Sequence, residues 1–146
     1  MKRTPLKRST KPMKRKGIQS YKKKLDKIFS VFIRMREADK NGMTKCYTCG
    51  VPKHWKELQC GHFCPRQYLS LRYDETNCHV QCYACNMLYN GQPSVFALNL
   101  ERDYGVGTVQ LLENRRKEIT KYFPYEVKLV EYSDKVKQLE KLTYPF

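Results

Sequence analysis

Two C-x-x-C pairs set the strongest limit on how this chain folds. The first pair is Cys46 and Cys49, and the second is Cys82 and Cys85. Thiolates are preferred ligands of Zn²⁺, and four of them complete the tetrahedron of a structural site. The chain has seven cysteines, an odd number that cannot all pair as disulfides within one chain. We therefore predict a structural zinc on these four cysteines.

The segment between the two pairs is long and rich in reactive side chains. It spans 32 residues and includes His62 and Asn77, which is more than a simple zinc ribbon needs. Cys60, His62 and Cys64 share one face of a predicted strand, so a separate metal site on these three is an alternative. We favour Cys60 and Cys78 as small buried residues beside the site.

The charge of the chain points to a polyanionic partner. Of its 146 residues, 29 are Lys or Arg and 14 are Asp or Glu. Eleven of the basic residues and none of the acids lie within the first 24 positions. Such a concentrated basic arm is typical of a nucleic-acid ligand.

No apolar run reaches the roughly 18 residues that a membrane span needs. No apolar stretch follows the N-terminal charges as in a secretory signal. We expect a cytoplasmic protein without a membrane partner, in a reducing compartment where these thiols stay available for metal.

Residues 1–19 have almost no apolar side chains and cannot bury enough surface to order themselves. We predict that this arm is disordered in the free protein and follows the phosphate backbone when DNA is bound. The candidate DNA-binding residues are Lys2, Arg3, Lys7, Arg8, Lys11, Lys14, Arg15, Lys16 and, further along the chain, Arg72.

Helices are predicted on both sides of the cysteine-rich segment. Residues 20–43 form the first unit, with Ser20 as N-cap, a helix to about Lys40 and a stop at Asn41-Gly42. Its apolar stripe is Leu25, Ile28, Phe29, Phe32 and Met35. Residues 92–146 form a helical C-terminal cap that packs back on the first helix. Its three helices run over 93–104, from Thr108 past Ile119 and Tyr122, and over 125–142.

Residues 44–91 form the predicted core. A turn at the first cysteine pair is followed by a strand over 58–63 and a loop rich in Arg and Tyr. A second strand covers 78–81, and a helix begins near Cys82 and ends before Gly91. Together with the flanking helices, this order predicts an α+β fold.

Ordered motifs in this core resemble a known nuclease family. The pattern G-H-x-x-x-R, followed by N-x-H-x-Q-C-x-x-C-N, is similar to the HNH or ββα-metal nucleases. Residues 44–91 resemble in particular the phage lambda NinG (Rap) recombination endonucleases. The resemblance implies a zinc-stabilised treble-clef core. It also implies a bacteriophage origin, and hence the cytoplasm of a bacterial host.

The resemblance also implies site residues. His62 occupies the position of the general base, and Asn77 that of the residue that orients the loop and base. Asn86 occupies the position of the ligand to a catalytic Mg²⁺ or Mn²⁺. Arg66, with Arg72, is expected to clamp a phosphate.

One position departs from the family pattern. Many HNH enzymes have an acidic metal ligand immediately before the base, where this chain has Gly61. Asp74, Glu75 and His79 are alternative ligands. Mg²⁺ keeps several waters and takes phosphate oxygens, so a single Asn is also sufficient.

The implied activity is hydrolysis of DNA phosphodiesters in branched or single-strand-containing recombination intermediates such as Holliday junctions. Resolving a four-way junction needs two cuts, which a homodimer would supply. The alternative is a non-catalytic zinc-dependent DNA-binding protein, which the missing acid at Gly61 favours.

Overall fold

The computed structural model describes residues 15–143, and this part of the chain combines helices with two small antiparallel sheets. The predicted α+β class is therefore confirmed. The helices and strands are α1 (Arg15–Met35), β1 (Met43–Lys45), β2 (Pro52–His54), β3 (Gln59–His62), α2 (Leu69–Arg72), β4 (Cys78–Gln81), α3 (Pro93–Tyr104), α4 (Thr108–Arg116) and α5 (Tyr125–Thr143).

The first helix is displaced from its predicted bounds. It begins at Arg15, so Ser20 lies inside α1 and is not its N-cap. It ends at Met35 rather than near Lys40 because the Asp39 side chain binds the backbone amides that follow it. The Asp39 carboxylate accepts hydrogen bonds from two amides beyond it, at 2.8 and 2.9 Å, which favours a turn over another helical turn.

The predicted basic arm lies mostly outside the described residues. The candidates Lys2, Arg3, Lys7, Arg8, Lys11 and Lys14 are in that part of the chain. Arg15 and Lys16 belong to α1, so the end of the predicted arm is helical. No helix among residues 15–143 is both long and apolar enough to cross a membrane.

The first cysteine pair sits in a turn between two strands that the sequence did not reveal. β1 and β2 pair antiparallel, with Met43 opposite His54 and Lys45 opposite Pro52. Gly50 has a φ of +75° and donates its amide to the Cys46 carbonyl at 2.9 Å. Glycine tolerates this left-handed conformation at no steric cost, so the chain can reverse tightly after the second thiol.

The two predicted core strands are present. β3 pairs antiparallel with β4, and Cys60 lies opposite Val80 while His62 lies opposite Cys78. Side chains alternate between the faces of a strand. Cys60 and His62 therefore share the face toward α1. Gln59 and Gly61 lie on the opposite face.

The predicted helix after Cys82 is present but shorter than expected. It is a five-residue π-helical turn, Ala84–Leu88. The Cys85 amide points at the Cys82 sulfur, 3.5 Å away. A backbone that turns its amides toward thiols departs from regular α-helical hydrogen bonding.

The C-terminal helices divide between two cores. α3 and α5 lie where the sequence predicted them, but α4 ends at Arg116 and leaves Ile119 and Tyr122 exposed. α5 packs on α1 as predicted, with Tyr132 edge-on to Phe29 at a ring separation of 4.9 Å. α3 and α4 instead cover the loop between β3 and β4, through a cluster formed by Cys64, Leu71, Phe96, Leu100 and Leu112.

Candidate functional site

Four cysteines meet where the first turn approaches the π-helical turn. The sulfurs of Cys46, Cys49, Cys82 and Cys85 all lie within 4.8 Å of one another. The sulfurs of Cys49 and Cys82 are 3.8 Å apart. Ligands placed about 2.3 Å from Zn²⁺ in a tetrahedron are about 3.8 Å apart. We call this group the four-cysteine cluster, and it can hold a metal such as zinc.

Hydrogen bonds lower the pKa of one thiol in the four-cysteine cluster. Burial raises the pKa of the Cys46 thiol, but hydrogen bonds from the Cys49 amide and the Thr48 hydroxyl outweigh it. The resulting pKa is about 6. Burial raises the pKa of Cys85 to about 12, and the neighbouring thiols contribute to that rise. A cation is needed to hold all four as thiolates.

Asn77 is fully buried and binds the loop that follows β3. Its Oδ1 accepts a hydrogen bond from the Cys64 amide at 2.7 Å. Its Nδ2 donates to the carbonyls of Cys64 and Leu71 at 3.0 and 3.1 Å. One side chain therefore joins both ends of the loop from Cys64 to Leu71. Asn77 thus contacts the loop that the family resemblance expects it to orient, and that role stays a prediction.

His62 lies at the end of β3, and the end of that loop holds its ring. His62 Nε2 is 3.0 Å from the Arg72 carbonyl. A carbonyl only accepts, so Nε2 carries the proton and Nδ1 keeps its lone pair. Burial lowers the pKa of His62, and the nearby charges of Arg66 and Arg72 lower it further. The imidazole is neutral at pH 7 and able to accept a proton.

The two predicted phosphate-binding arginines have different settings. Arg66 is exposed next to His62. Arg72 is buried and pairs with Asp26 of α1 through two hydrogen bonds of 2.9 and 2.7 Å. A third hydrogen bond, of 2.8 Å, goes to the Arg66 carbonyl. The Arg66 guanidinium has no hydrogen-bond partner within residues 15–143, whereas Arg72 is engaged in fixing the loop.

Asn86 follows the second cysteine pair, and its side chain contacts the start of β3. Its Nδ2 donates to Gln59 Oε1 at 2.7 Å. The hydrogen bonds among residues 15–143 do not join Asn86 with His62. Asn86 Oδ1 accepts none of those bonds either, and an amide oxygen suits a hard cation such as Mg²⁺.

Gln81 occupies the space of the missing acid. A Cβ added at Gly61 would collide with Gln81 Oε1. Gln81 Nε2 donates to Thr48 Oγ1 at 3.0 Å and to the Gly91 carbonyl at 2.9 Å, which fixes the orientation of the amide. Its Oε1 is buried and has no hydrogen-bond partner among the described residues. Sequence reasoning missed Gln81 because only the hairpin register brings it to Gly61.

The three alternative metal ligands are engaged elsewhere. Asp74 caps the turn before Asn77 and pairs with Arg115 at 2.6 Å. Glu75 pairs with Lys135 of α5 at 2.6 Å. His79 stacks on Tyr47 at a ring separation of 3.9 Å and contacts Arg36 and Tyr104 through its two nitrogens. All three stabilise the fold around the hairpin.

A second group of potential ligands lies beside His62. The ligand atoms of Cys60, His62 and Cys78 are within 4.8 Å of one another. The third member expected from sequence was Cys64, which instead packs against Leu71. We call this set the hairpin cluster. Burial raises the pKa of Cys78 far above its usual range, and hydrogen bonding with Cys60 adds to the rise.

A family model described as "Bacteriophage Lambda NinG protein" matches residues 2–142. The match covers the basic arm, the cysteine-rich core and nearly all of the helical cap. No curated protein and no solved structure is significantly similar to the chain.

Proposed function

The chain belongs to the phage lambda NinG family, and from that premise we propose that it is a zinc-stabilised, metal-dependent endonuclease that cuts branched DNA. Its substrates would be recombination intermediates such as Holliday junctions. The basic residues of the matched region provide the charge that a DNA partner requires.

The arrangement of Asn77, its loop and His62 carries the proposal. Asn77 holds the loop by three hydrogen bonds, and the next residue after that loop, Arg72, presents its carbonyl to His62. A general base works best when it is neutral and held in one orientation. Burial and the neighbouring guanidinium groups keep His62 neutral.

Each residue then has a definite part in hydrolysis. His62 accepts the proton of the attacking water at Nδ1, and the exposed Arg66 binds a phosphate oxygen. Asn86 would hold Mg²⁺ or Mn²⁺ through Oδ1. A bound divalent ion would stabilise the charge that develops on the phosphate and on the leaving oxygen.

Helix α1 extends the basic arm toward this site. Lys23, Lys24 and Lys27 are exposed on α1, and Asp26 on the same helix pairs with Arg72. These lysines therefore lie within three residues of the position on α1 that contacts the end of the loop beside His62. DNA lying along α1 would be directed to Arg66 by charge alone.

A second function is favoured by one observation. Gln81 fills the space that a metal-binding acid at position 61 would need. A chain that has closed this space can still bind DNA through zinc-stabilised structure without cutting it. The rival proposal is therefore a non-catalytic zinc-dependent DNA-binding protein.

Cleavage assays distinguish the two proposals. Protein with zinc on the four-cysteine cluster and no excess zinc is incubated with labelled four-way, three-way, single-stranded and plain duplex DNA, in Mg²⁺, in Mn²⁺ and in a short EDTA control. The endonuclease proposal predicts products with a divalent ion, most from branched DNA, and none in EDTA. Folded protein that binds these DNAs but cuts none with either ion would overturn it and support the rival. A homodimer would make paired cuts in one junction.

A further inference from the structure

We propose that the hairpin cluster, Cys60, His62 and Cys78, is a second metal site for Zn²⁺ or another thiophilic divalent cation. We further propose that its occupation withdraws His62 from proton transfer. The metal site stands on geometry alone, whereas its effect on cleavage rests on the function proposed above.

The hairpin register brings the three ligands together. His62 lies directly opposite Cys78 in the antiparallel pair, where Cβ atoms are about 5 Å apart. Cys60 lies two positions before His62, on the same face of β3. The resulting ligand atoms are all within 4.8 Å of one another. Ligands of a tetrahedral zinc are about 3.5 to 3.8 Å apart, so small side-chain movements close the site.

The Arg72 carbonyl orients two of the ligands. It lies 3.0 Å from His62 Nε2 and 3.7 Å from the Cys78 sulfur. Histidines that bind metal commonly donate their second ring N–H to a backbone carbonyl, which fixes the tautomer and the ring. The 4.8 Å spacing is for one ring nitrogen of His62. With Nε2 donating to Arg72, Nδ1 is the nitrogen that keeps a lone pair for a metal.

Two arginines lie near the hairpin cluster. Arg34 donates to the Leu58 carbonyl at 3.3 Å, next to the start of β3. Arg36 donates to the Cys78 carbonyl at 2.8 Å. Cationic neighbours favour thiolates, but the burial of Cys78 opposes its ionisation, so a bound cation would have to displace the thiol proton. Two thiolates and a neutral imidazole would then balance the charge of a divalent ion.

The site has an open position that the four-cysteine cluster lacks. Within residues 15–143, the hairpin cluster brings together three protein ligands. Cys60 and His62 are only half-buried, so water can complete the tetrahedron. Sites with three protein ligands keep an exchangeable position, whereas four-thiolate sites are closed. We therefore expect the second metal to be bound more weakly and to exchange.

Metal binding and base function compete for one lone pair. Nδ1 of His62 cannot both bind a cation and accept a proton from water. The endonuclease would then be active with Mg²⁺ or Mn²⁺ and blocked by added Zn²⁺. Because Mg²⁺ prefers oxygen ligands, it would leave the hairpin cluster empty.

Metal counting tests the site without any activity. Full-length protein is titrated with Co²⁺ or Zn²⁺, and bound metal is measured by native mass spectrometry and thiolate-to-Co²⁺ absorption. We expect about two ions per chain for the wild type. Cys60→Ser and His62→Gln should each bind about one. The matched control Cys64→Ser, which removes a thiol outside both clusters, should still bind two.

Two outcomes would overturn the metal site: a wild type that saturates at one ion, or two ions in both Cys60→Ser and His62→Gln. Circular dichroism confirms that each variant is folded, and two independent ligand variants guard against a loss caused by misfolding.

The effect on His62 is tested by cleavage in Mg²⁺ with added Zn²⁺. Wild type should be inhibited at least about tenfold, and Cys60→Ser should resist. Equal inhibition of both proteins would overturn the proposed competition between metal binding and proton transfer at His62. If no protein cleaves DNA, the proposed function and the competition both fail, and the metal counts still decide whether the second metal site exists.

Discussion

The four-cysteine cluster and the hairpin cluster use similar ligands in different settings. The four-cysteine cluster joins two turns that are distant in sequence, and each turn supplies a C-x-x-C pair. The hairpin cluster lies on two paired strands that already share a ladder of hydrogen bonds. A metal on the first cluster would therefore cross-link distant parts of the chain, whereas the ligands of the second cluster are positioned by strand pairing.

The difference shows how a small core separates stability from chemistry. A segment of about forty residues buries little apolar surface by itself, so a metal on the four-cysteine cluster would add stabilisation. Once that is in place, His62 and its carbonyl partner are positioned by strand pairing and by Asn77. His62 therefore has an ordered setting without being a ligand of the four-cysteine cluster.

Replacing a ligand of the four-cysteine cluster should have the largest effect. Structural Zn²⁺ contributes about 10 kcal/mol or more to the folding of small metal domains, which is comparable to total domain stability. Cys82→Ser is expected to unfold the core, whereas Cys60→Ser should cost about 1 to 2 kcal/mol. Thermal unfolding followed by circular dichroism measures both. Equal losses would remove the distinction between the clusters.

Removing the loop-binding amide should have the next largest effect on stability. Asn77→Ala deletes three buried hydrogen bonds and leaves the Cys64 amide and carbonyl unpaired, while the Leu71 carbonyl keeps the Asp74 amide; the cost is about 2 to 4 kcal/mol. Asn114→Ala, at an exposed position of α4, should change stability by less than about 0.5 kcal/mol. Urea unfolding compares the two variants. A cost at Asn77 as small as at Asn114 would show that the loop is held by other contacts.

Filling the space between Gly61 and Gln81 should have a smaller effect on stability, and one that a second mutation can separate. Gly61→Ala places a Cβ against Gln81 Oε1 and should destabilise by about 1 to 3 kcal/mol. Adding Gln81→Ala should recover part of that loss because it removes the collision. A double-mutant cycle by urea unfolding measures the coupling. Strictly additive losses would mean that Gln81 does not fill the space beside Gly61.

A change of pH near neutrality should have the smallest effect, and it should act on the rate of cleavage. The pKa of His62 is lowered below its usual 6.5 by burial, so the base stays neutral until the pH falls through that lower value. Between pH 7.5 and 6.5 the rate should fall less than about twofold. Single-turnover rates in Mg²⁺ measure this. A steep fall beginning above pH 7 would show a base with a raised pKa.

The periodicity of apolar residues and the positions of turn residues and prolines made much of the fold predictable. Strand alternation and turn residues gave β3 and β4, and Pro93 gave the start of α3. The four-cysteine cluster followed from spacing because C-x-x-C places two thiols on one turn. The three-residue strands β1 and β2 were missed because they are too short to show alternation.

The remaining differences depend on contacts that no local pattern contains. Asp39 ends α1 through its own side chain, and thiol–amide contacts widen the turn after Cys82. Cys78 replaces Cys64 beside His62 because the strand register, not sequence distance, decides which side chains meet. The same register brings Gln81 to Gly61. Of the candidate site, residue types were predictable, but their neighbours required the tertiary structure.

The most direct test compares His62→Ala with His54→Ala, a histidine at the end of β2 and outside both clusters. Binding and single-turnover cleavage of a labelled four-way junction are measured for both variants and the wild type in Mg²⁺. We expect His62→Ala to bind the junction normally and to cut at least about 100-fold more slowly, while His54→Ala does both normally. Cleavage by His62→Ala at the wild-type rate would contradict the assignment of His62 as the base.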